Sequence, residues 1–232
     1  MSLILPIKQV FTADEVATIR THLDQASWVD GSLTAGSRAL AAKRNQQLDE
    51  NDPLGQKLGD LILGALAKHP VFISAALPLK TLPPMFNRYR DGETYGRHVD
   101  NAIRVVPGTA TRVRTDLSAT LFLSAADEYD GGELEIEGKY GSQSIKLDAG
   151  DLILYPSTSL HRVTPVTRGA RVAAFFWIQS MVRSHEQREM LFDLDTSIQS
   201  LTSAGIQGAV QDEDLNRLTA LYHRLIQQWA DT

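Results

Sequence analysis

The sequence predicts a mainly β core of the sandwich or barrel type, with helices before and after it. Between about residues 80 and 180, apolar residues recur at every second position and β-branched and aromatic residues are frequent. Before and after this stretch, apolar residues recur at helical spacing. Many short strands separated by turns are typical of sandwiches and barrels. We therefore expect three regions: a helical and irregular one (1–79) packing on the core, a β domain (80–180) and a helical extension (181–232).

The first region is expected to contain two helices. Thr12 and Glu15 form a capping-box pattern at the start of the first. Asp52 and Pro53 are typical N-cap and first-turn residues for the second. The apolar positions are Val16, Ile19 and Leu23 in the first helix and Leu54, Leu58, Leu61, Ile62, Ala65 and Leu66 in the second. The polar stretch 31–47 has little periodicity, and we expect it to be irregular.

The middle region is expected to contain seven strands separated by turns. Asp130-Gly131-Gly132 is a hairpin-turn signal, and residues 148–151, Asp-Ala-Gly-Asp, indicate another turn. The predicted strands are 85–90, 117–124, 133–137, 144–147, 152–155, 161–163 and 170–178.

Two helices are expected in the last region. Ser184 and Gln187 make a second capping-box pattern, and Gly205 marks a break between the helices. The apolar positions are Leu191, Leu194 and Ile198 in the first, and Leu215, Leu218, Leu221, Tyr222, Leu225, Ile226 and Trp229 in the second. The pair should pack as a hairpin against the β core, as a structural cap or as a functional module. Its apolar faces are also compatible with a homodimer.

Composition excludes several classes of function. Lys and Arg number 23 against 28 Asp and Glu, a net charge of −5 that gives no general affinity for nucleic acid or anionic membranes. The absence of cysteine excludes disulfides, thiolate metal sites and cysteine nucleophiles. The N-terminus lacks a basic leader, and the longest apolar runs, such as 61–67, fall far short of the roughly 20 residues that span a bilayer. We expect a cytoplasmic protein.

Three residues form a candidate metal site. His98 and Asp100 are two positions apart, so in an extended segment their side chains point to the same side. His161, at the start of a later predicted strand, completes a set of two histidines and one carboxylate. That set is the facial triad of non-haem Fe(II) oxygenases, which leaves positions open on the metal. The His-x-Asp pair alone arises often by chance, so the prediction depends on its surroundings.

Arg171 strengthens the prediction. It begins a predicted apolar strand and shares one face of it with Ala173, Phe175 and Trp177. An arginine that faces a core requires an anionic partner, and its planar fork suits a carboxylate. The partner is either a dicarboxylate bound to the metal at its other end or a buried acid such as Asp151. Asn87 and Tyr89 also share one face of a predicted strand. Both could hydrogen-bond the same dicarboxylate; alternatively, Tyr89 packs in the core with its hydroxyl satisfied.

Two stretches resemble a known family. FNRYRDGETYGRHVD, residues 86–100, is similar to the iron-binding segment of prolyl-hydroxylase-like 2-oxoglutarate oxygenases. GDLILYPSTSLHRVTPVTRGARVAAFFWIQS, residues 150–180, is similar to their second histidine and arginine segment. The segment AGSRALAAKRNQQL, residues 35–48, and the helical tail extend the resemblance to the bacterial PKHD-type hydroxylases, the PiuC-like group.

The resemblance implies a double-stranded β-helix, or jelly-roll, core with N-terminal helices and a C-terminal helical hairpin. It implies a dioxygenase that uses Fe(II), 2-oxoglutarate and ascorbate (vitamin C) and hydroxylates its substrate with succinate and CO₂ as co-products. The family's metal ligands correspond to His98, Asp100 and His161, its 2-oxoglutarate arginine to Arg171, and Tyr89 is a weaker match. The substrate, a peptidyl residue, amino acid or small metabolite, is not specified.

Two alternatives and one accessory feature follow from the same residues. A zinc-dependent jelly-roll hydrolase would use the triad but leaves Arg171 unexplained. A metal- or 2-oxoglutarate-binding sensor would bind without forming succinate. Residues 101–116, which hold Arg104, Arg112, Arg114 and Pro107, follow the first two candidate ligands. They form either a lid that favours an anionic substrate or a solvated loop.

Overall fold

The computed structural model describes residues 4–31, 43–106, 108–138, 141–204 and 209–231. Predictions about Gly205, Pro107 and residues 35–42 lie outside these ranges. The described helices are α1 (Ala13–Asp24), α2 (Pro53–Leu66), α3 (Pro70–Ala76), α4 (His185–Ser203) and α5 (Ala209–Trp229). The described strands are β1 (Leu5–Ile7), β2 (Trp28–Asp30), β3 (Lys43–Arg44), β4 (Gln46–Leu48), β5 (Pro78–Thr81), β6 (Met85–Arg90), β7 (Thr94–His98), β8 (Ile103–Val105), β9 (Arg112–Arg114), β10 (Leu117–Phe122), β11 (Asp130–Gly131), β12 (Leu134–Gly138), β13 (Gly141–Ile145), β14 (Leu152–Pro156), β15 (His161–Val163), β16 (Val166–Arg168) and β17 (Ala170–Ser180).

Two sheets make up the core. The larger has the strand order β1-β14-β10-β17-β6-β4-β2, with β5 also paired to β17. The smaller has the order β13-β12-β15-β7-β3. Two-stranded pairs, β8 with β9 and β11 with β16, complete the architecture. Non-consecutive neighbours in both sheets and antiparallel pairing agree with the predicted jelly-roll.

The larger sheet has helices on one face and the site on the other. Along β17, Val172, Ala174 and Phe176 belong to the same buried cluster as Ile19 of α1 and Ile62 of α2. The alternate positions therefore face the smaller sheet, because successive strand side chains point to opposite sides. This confirms the predicted common face of Arg171, Ala173, Phe175 and Trp177, and it directs the arginine into the space between the sheets.

The helix starts follow the predicted capping signals. Thr12 and Glu15 form a complete capping box ahead of α1. The Asp52 side chain accepts a hydrogen bond from Leu54 N, with Pro53 as the first residue of α2. At the start of α4, Ser184 accepts from Gln187 N and donates to Glu186, so only the Ser184 half of the predicted capping box is present among the described contacts. Each cap satisfies a backbone N–H that a helix start leaves without a partner.

The N-terminal region contains strands as well as helices, which we did not predict. β1 forms one edge of the larger sheet, and β2 and β4 form the other. β3 and most of β4 lie within 31–47, the stretch expected to be irregular. The sequence of residues 43–48, Lys-Arg-Asn-Gln-Gln-Leu, shows no apolar alternation, because the alternating buried positions Lys43, Asn45 and Gln47 are polar.

The Asp130-Gly131-Gly132 signal does not form a hairpin between neighbouring strands. Asp130 and Gly131 form a short strand paired with β16, and β12 pairs with β13 and β15. Both glycines do have positive φ, 71° and 67°. A Cβ on Gly131 would lie 2.0 Å from Pro165 O, and a Cβ on Gly132 would lie 3.1 Å from Cδ of Arg171. Glycine is needed at both positions because the Pro165 carbonyl and the Arg171 side chain leave too little room for a Cβ.

Replacing Gly131 by alanine is expected to lower the free energy of unfolding by roughly 2 to 4 kcal/mol. The added Cβ meets a backbone carbonyl and the left-handed conformation is strained. Gly64, near the end of α2, is the matched control: its Cβ would meet nothing within 4 Å, so alanine should stabilise by up to about 1 kcal/mol. Urea unfolding of both variants measures the difference, and equal effects would contradict the close-approach argument.

The C-terminal helices form the predicted hairpin. Leu191 of α4 is buried with Leu77 and Val182, and Tyr222 and Trp229 of α5 pack against this cluster. Ser74 of α3 donates to Asp195 Oδ2 of α4 at 2.6 Å. The hairpin therefore docks on α3 and on the segment that follows β17.

None of the described helices is by itself long and apolar enough to cross a membrane. α2 and α3 meet that test only as a pair, with a bend of 88° between them, and both contribute buried side chains to the main core.

Candidate active site

A cavity of about 660 Å³ lies between the two sheets and contains all six predicted site residues. The larger sheet contributes Asn87 and Tyr89 from β6 and Arg171 from β17. The smaller sheet contributes His98 and His161, and Asp100 follows β7. The other lining residues are Lys43, Met85, Tyr95, Arg97, Val99, Asn101, Arg104, Ser118, Ala119, Thr120, Leu134, Tyr155, Leu160, Val163, Phe175, Phe176 and Trp177.

The three candidate metal ligands meet at one end of the cavity. Strand β7 pairs with β15 so that His98 and His161 are directly opposite each other. Their Nε2 atoms lie 4.0 and 3.9 Å from the Asp100 carboxylate oxygens. One ligand atom from each residue lies within 4.8 Å of the other two. These distances are too long for hydrogen bonds, and two imidazoles with one carboxylate are the donor set that non-haem Fe(II) accepts.

Backbone carbonyls orient both imidazoles. Nδ1 of His98 lies 2.8 Å from Gly96 O, and Nδ1 of His161 lies 3.0 Å from Ser159 O. A carbonyl only accepts, so each Nδ1 carries the proton and each Nε2 keeps its lone pair for a metal. Burial, and after it the neighbouring His161, lowers the pKa of His98 to about 4, so its ring is neutral near pH 7.

Two tyrosines that we did not predict pack on the histidines. The ring of Tyr95 stacks on His98 with centroids 3.6 Å apart. Tyr155 meets His161 edge-on at 5.2 Å. Burial raises the pKa of both phenols, so they remain neutral donors. Tyr155 lay in a predicted strand, but its contact with the site depends on sheet pairing that the sequence does not display.

A serine pair holds the Asp100 carboxylate. The Ser118 hydroxyl donates to Asp100 Oδ2 at 2.6 Å and lies 2.7 Å from Ser157 Oγ. A hydroxyl has a single proton, so Ser157 is the donor in the second contact. Both serines are buried. Sequence reasoning missed them; the available signal was the inward position of Ser118 on the predicted strand 117–124.

Replacing Ser118 by alanine is expected to weaken Ni(II) binding by about 10- to 100-fold, the usual effect of removing a group that orients a ligand. The Asp100 carboxylate would lose its 2.6 Å donor while the fold keeps its core. Calorimetric titration of metal-free protein measures the loss. Ser144→Ala, at an exposed position of β13, is the matched control. Equal affinity in both variants would contradict a positioning role for Ser118.

Arg171 places a buried positive charge in the same cavity. Its side chain is 1% exposed, and its Nε and Nη1 have no hydrogen-bond partner among the described residues. Its guanidinium carbon lies 5.2 Å from the Phe122 ring centroid and 5.5 Å from that of Tyr89. Asp151, the alternative partner, instead binds Lys8 Nζ at 2.6 Å and Gln9 N at 2.9 Å. Pairing with Asp151 is therefore excluded, and the cavity holds a guanidinium that an anion would satisfy.

Asn87 and Tyr89 lie beside Arg171 on the neighbouring strand, with Tyr89 directly opposite it in register. Asn87 Oδ1 is buried without a partner among the described residues. Tyr89 is 1% exposed, and burial raises its pKa to about 12. Both side chains are polar groups within the cavity, as predicted. Thr120, also buried in the lining, was not predicted.

The fold and the site define a class of enzyme. Residues 84–179 match the model of the 2OG-Fe(II) oxygenase superfamily, and residues 185–231 match that of the PKHD-type hydroxylase C-terminal domain. The jelly-roll fold and the His/Asp/His cluster agree with an oxygenase of this superfamily. Within it, the chain belongs to the PKHD-type hydroxylases. A PKHD-type hydroxylase of Saccharophagus degradans is 55% identical over 99% of this chain and 100% of its own length.

Solved structures share the fold at lower sequence identity. A prolyl-4-hydroxylase of Pseudomonas putida is 20% identical, with a TM-score of 0.50 over 76% of this chain and 92% of its own. HygX of Streptomyces hygroscopicus, solved with nickel, 2-oxoglutarate and hygromycin B bound, is 17% identical, with a TM-score of 0.52 over 76% and 82%. The family and this fold support an Fe(II)- and 2-oxoglutarate-dependent hydroxylase over the hydrolase and sensor alternatives.

Proposed function

We propose that His98, Asp100 and His161 hold Fe(II) and that Arg171 binds the distal carboxylate of 2-oxoglutarate, for hydroxylation of a small-molecule or peptidyl substrate. The main support is the presence, in one cavity, of a His/Asp/His cluster and a buried guanidinium whose Nε and Nη1 find no partner in the described part of the chain. Bound iron supplies O₂ activation: one oxygen atom enters a substrate C–H bond, and the other enters 2-oxoglutarate, which leaves as succinate and CO₂.

The other residues of the cavity would position these groups. Asn87 and Tyr89 are proposed to hydrogen-bond the co-substrate beside Arg171, because both are polar, buried and on the strand paired with β17. Ser118 holds the Asp100 carboxylate before the metal arrives. Aromatic walls, including Tyr95 and Phe175, exclude water from the reacting groups.

Succinate formation tests the proposal. Anaerobically purified protein receives Fe(II), ascorbate and 2-oxoglutarate, then O₂, beside His161→Ala and Arg171→Ala variants. Uncoupled succinate from the unaltered chain that disappears in both variants is the expected result. Failure of the unaltered chain to bind 2-oxoglutarate would refute the residue assignments.

Ascorbate is the proposed reductant that returns iron to Fe(II) after uncoupled cycles, on the basis of the family resemblance. Omitting it should shorten the period of succinate formation. The catalytic unit is proposed to be residues 80–180, which contain all six site residues, with 1–79 and 181–232 packing on it.

The proposed location is the cytoplasm, because a chain without cysteine suits a reducing compartment. A homodimer through the tail helices is the proposed assembly. Met190 and Leu201 of α4 and Leu221 of α5 are 53%, 42% and 39% exposed. Light scattering of the purified chain measures the mass, and a monomer at all concentrations would exclude this assembly.

A further inference from the structure

The lining of the cavity contains two cations that the proposed chemistry does not use. Lys43 of β3 is 6% exposed, and its Nζ donates to Gln47 Oε1 at 2.7 Å. Arg104 of β8 is half-buried, with its guanidinium carbon 3.9 Å from the centroid of Trp177. Both line the same cavity as the candidate metal ligands.

Only Arg104, of the three arginines in segment 101–116, lines the cavity. Arg114 is bound to both Asp116 carboxylate oxygens, at 2.7 and 3.0 Å, and to Ser180 O at 3.2 Å. Arg112 is exposed and outside the lining. Because β8 and β9 pair as a hairpin, they present Arg104 to the cavity while Val113 packs on Trp177. The β8–β9 hairpin therefore lines one side of the cavity, and Arg104 is the one charged side chain that its described residues place there.

The cavity has few carboxylates to balance these cations. Asp100 is the one carboxylate among the described residues that line it. Arg97 is paired with Glu137 at its rim. If iron and 2-oxoglutarate bind as proposed, the charges of Fe(II) and Arg171 balance those of Asp100 and the co-substrate. Arg104 then remains in the lining as a cation that these charges do not balance, and Lys43, whose Nζ is held by Gln47, adds positive charge to the same lining.

The two cations are close enough to affect each other. Burial first, and then the positive charge of Arg104, lowers the pKa of Lys43 to about 8. Two like charges held together in a half-buried cavity repel each other, and a bound anion removes that repulsion. Arg104 has no hydrogen bond or ion pair with any described residue; its partner is the Trp177 ring. The guanidinium fork therefore remains available to a carboxylate or another oxyanion.

We propose that Lys43 and Arg104 bind an anionic group of the primary substrate, so that the substrate of this hydroxylase is an acid: a carboxylate, sulfonate or phosphate ester. This inference rests on the proposed function for its reaction but not for the anion site itself. The bulk of the substrate would lie against Trp177 and Tyr95, which flank the two cations. The anion fixes one end of the substrate while the C–H bond faces the metal ligands.

Benzoate and its neutral counterpart benzamide are suitable probes, because they share shape and differ in charge. Protein loaded with Ni(II) and saturated with 2-oxoglutarate is titrated with each, by calorimetry or ligand-observed NMR. Benzoate is expected to bind at least about tenfold more tightly. Arg104→Gln should bring the ratio close to one, Arg104→Lys should keep part of it, and Arg112→Gln, on the same hairpin, should leave it unchanged. Equal binding of the two probes, or a preference that survives Arg104→Gln, would overturn the proposal.

A second set of titrations tests the anion site independently of the proposed function. The same titrations use metal-free Arg171→Gln protein, which lacks the proposed co-substrate arginine. A benzoate preference that persists there and disappears on adding Arg104→Gln assigns the anion to the Lys43/Arg104 site, even if 2-oxoglutarate fails to bind the unaltered chain. A preference abolished by Arg171→Gln alone would mean that benzoate had occupied the Arg171 site, and it would overturn the Lys43/Arg104 site.

Discussion

Replacing Arg171 by glutamine is expected to weaken 2-oxoglutarate binding by roughly 30- to 5,000-fold, equivalent to about 2 to 5 kcal/mol. The guanidinium is 1% exposed and its Nε and Nη1 have no hydrogen-bond partner among the described residues, so the proposed carboxylate contact forms where water competes little. Removing one member of a buried charged pair leaves the other charge without a partner, which makes the loss large. Titration of the Ni(II) protein with 2-oxoglutarate measures it.

Two matched variants make the Arg171 result specific. Arg171→Lys keeps the charge but loses the planar fork, so it should bind 2-oxoglutarate with intermediate affinity. Arg168→Gln removes a nearby arginine whose partner, Asp130, is on the surface, and it should leave the affinity unchanged. An Arg171→Gln protein that binds 2-oxoglutarate within threefold of the unaltered chain would contradict the assignment.

The ligand-free protein offers an independent check on the same residue. A buried guanidinium without an anion destabilises the fold, because its lost hydration is not replaced. Arg171→Gln should therefore melt at the same temperature as the unaltered chain or above it when no ligand is present. With Ni(II) present in both samples, adding 2-oxoglutarate should raise the melting temperature of the unaltered chain much more than that of the variant. A variant that melts well below the unaltered chain would indicate that Arg171 is structural.

The sequence predicted those parts of the fold that have a local pattern. Strands 85–90 and 161–163 were predicted with the observed bounds, and the three tested helix caps were found at their signals. Helix α3 was missed because its seven residues are too few to show a helical period. Strand β7 was missed because Thr94, Gly96 and Arg97 interrupt any apolar alternation. Such strands form because neighbours in the sheet supply their pairing and burial.

The site likewise contains residues that a local sequence pattern reveals and residues that only strand pairing brings together. The His98/Asp100 pair was detectable because an i, i+2 spacing is a local feature, and the structure brings both to His161 across paired strands. Ser118 and Ser157 were not detectable, since their contact joins residues 39 positions apart. Lys43 belongs to a polar stretch with no periodic signal, and it reaches the cavity only because β3 pairs with β7. These last contacts depend on strand pairing and involve no recognisable motif, so sequence reasoning did not reach them.

Replacing His161 or Asp100 by alanine is expected to abolish succinate formation and to weaken Ni(II) binding by more than the 10- to 100-fold expected for Ser118→Ala. Each residue would supply one of three protein ligands, and the ligand atoms already lie within 4.8 Å of one another. His22→Ala, at an exposed position of α1, controls for general loss of a histidine. Calorimetric metal titration and succinate assays are made on the same preparations.

Comparing the loss of Ni(II) binding with the loss of 2-oxoglutarate binding in each variant distinguishes the metal ligands from the other residues of the cavity. His161→Ala should lose Ni(II) binding and, with it, metal-dependent 2-oxoglutarate binding, because the co-substrate is expected to chelate the ion. Arg171→Gln should keep Ni(II) affinity within about threefold while losing 2-oxoglutarate, because Arg171 is proposed to contact only the far carboxylate. Full Ni(II) affinity in His161→Ala or Asp100→Ala would refute the triad. Loss of Ni(II) in Arg171→Gln would show that the two ends of the cavity are not independent.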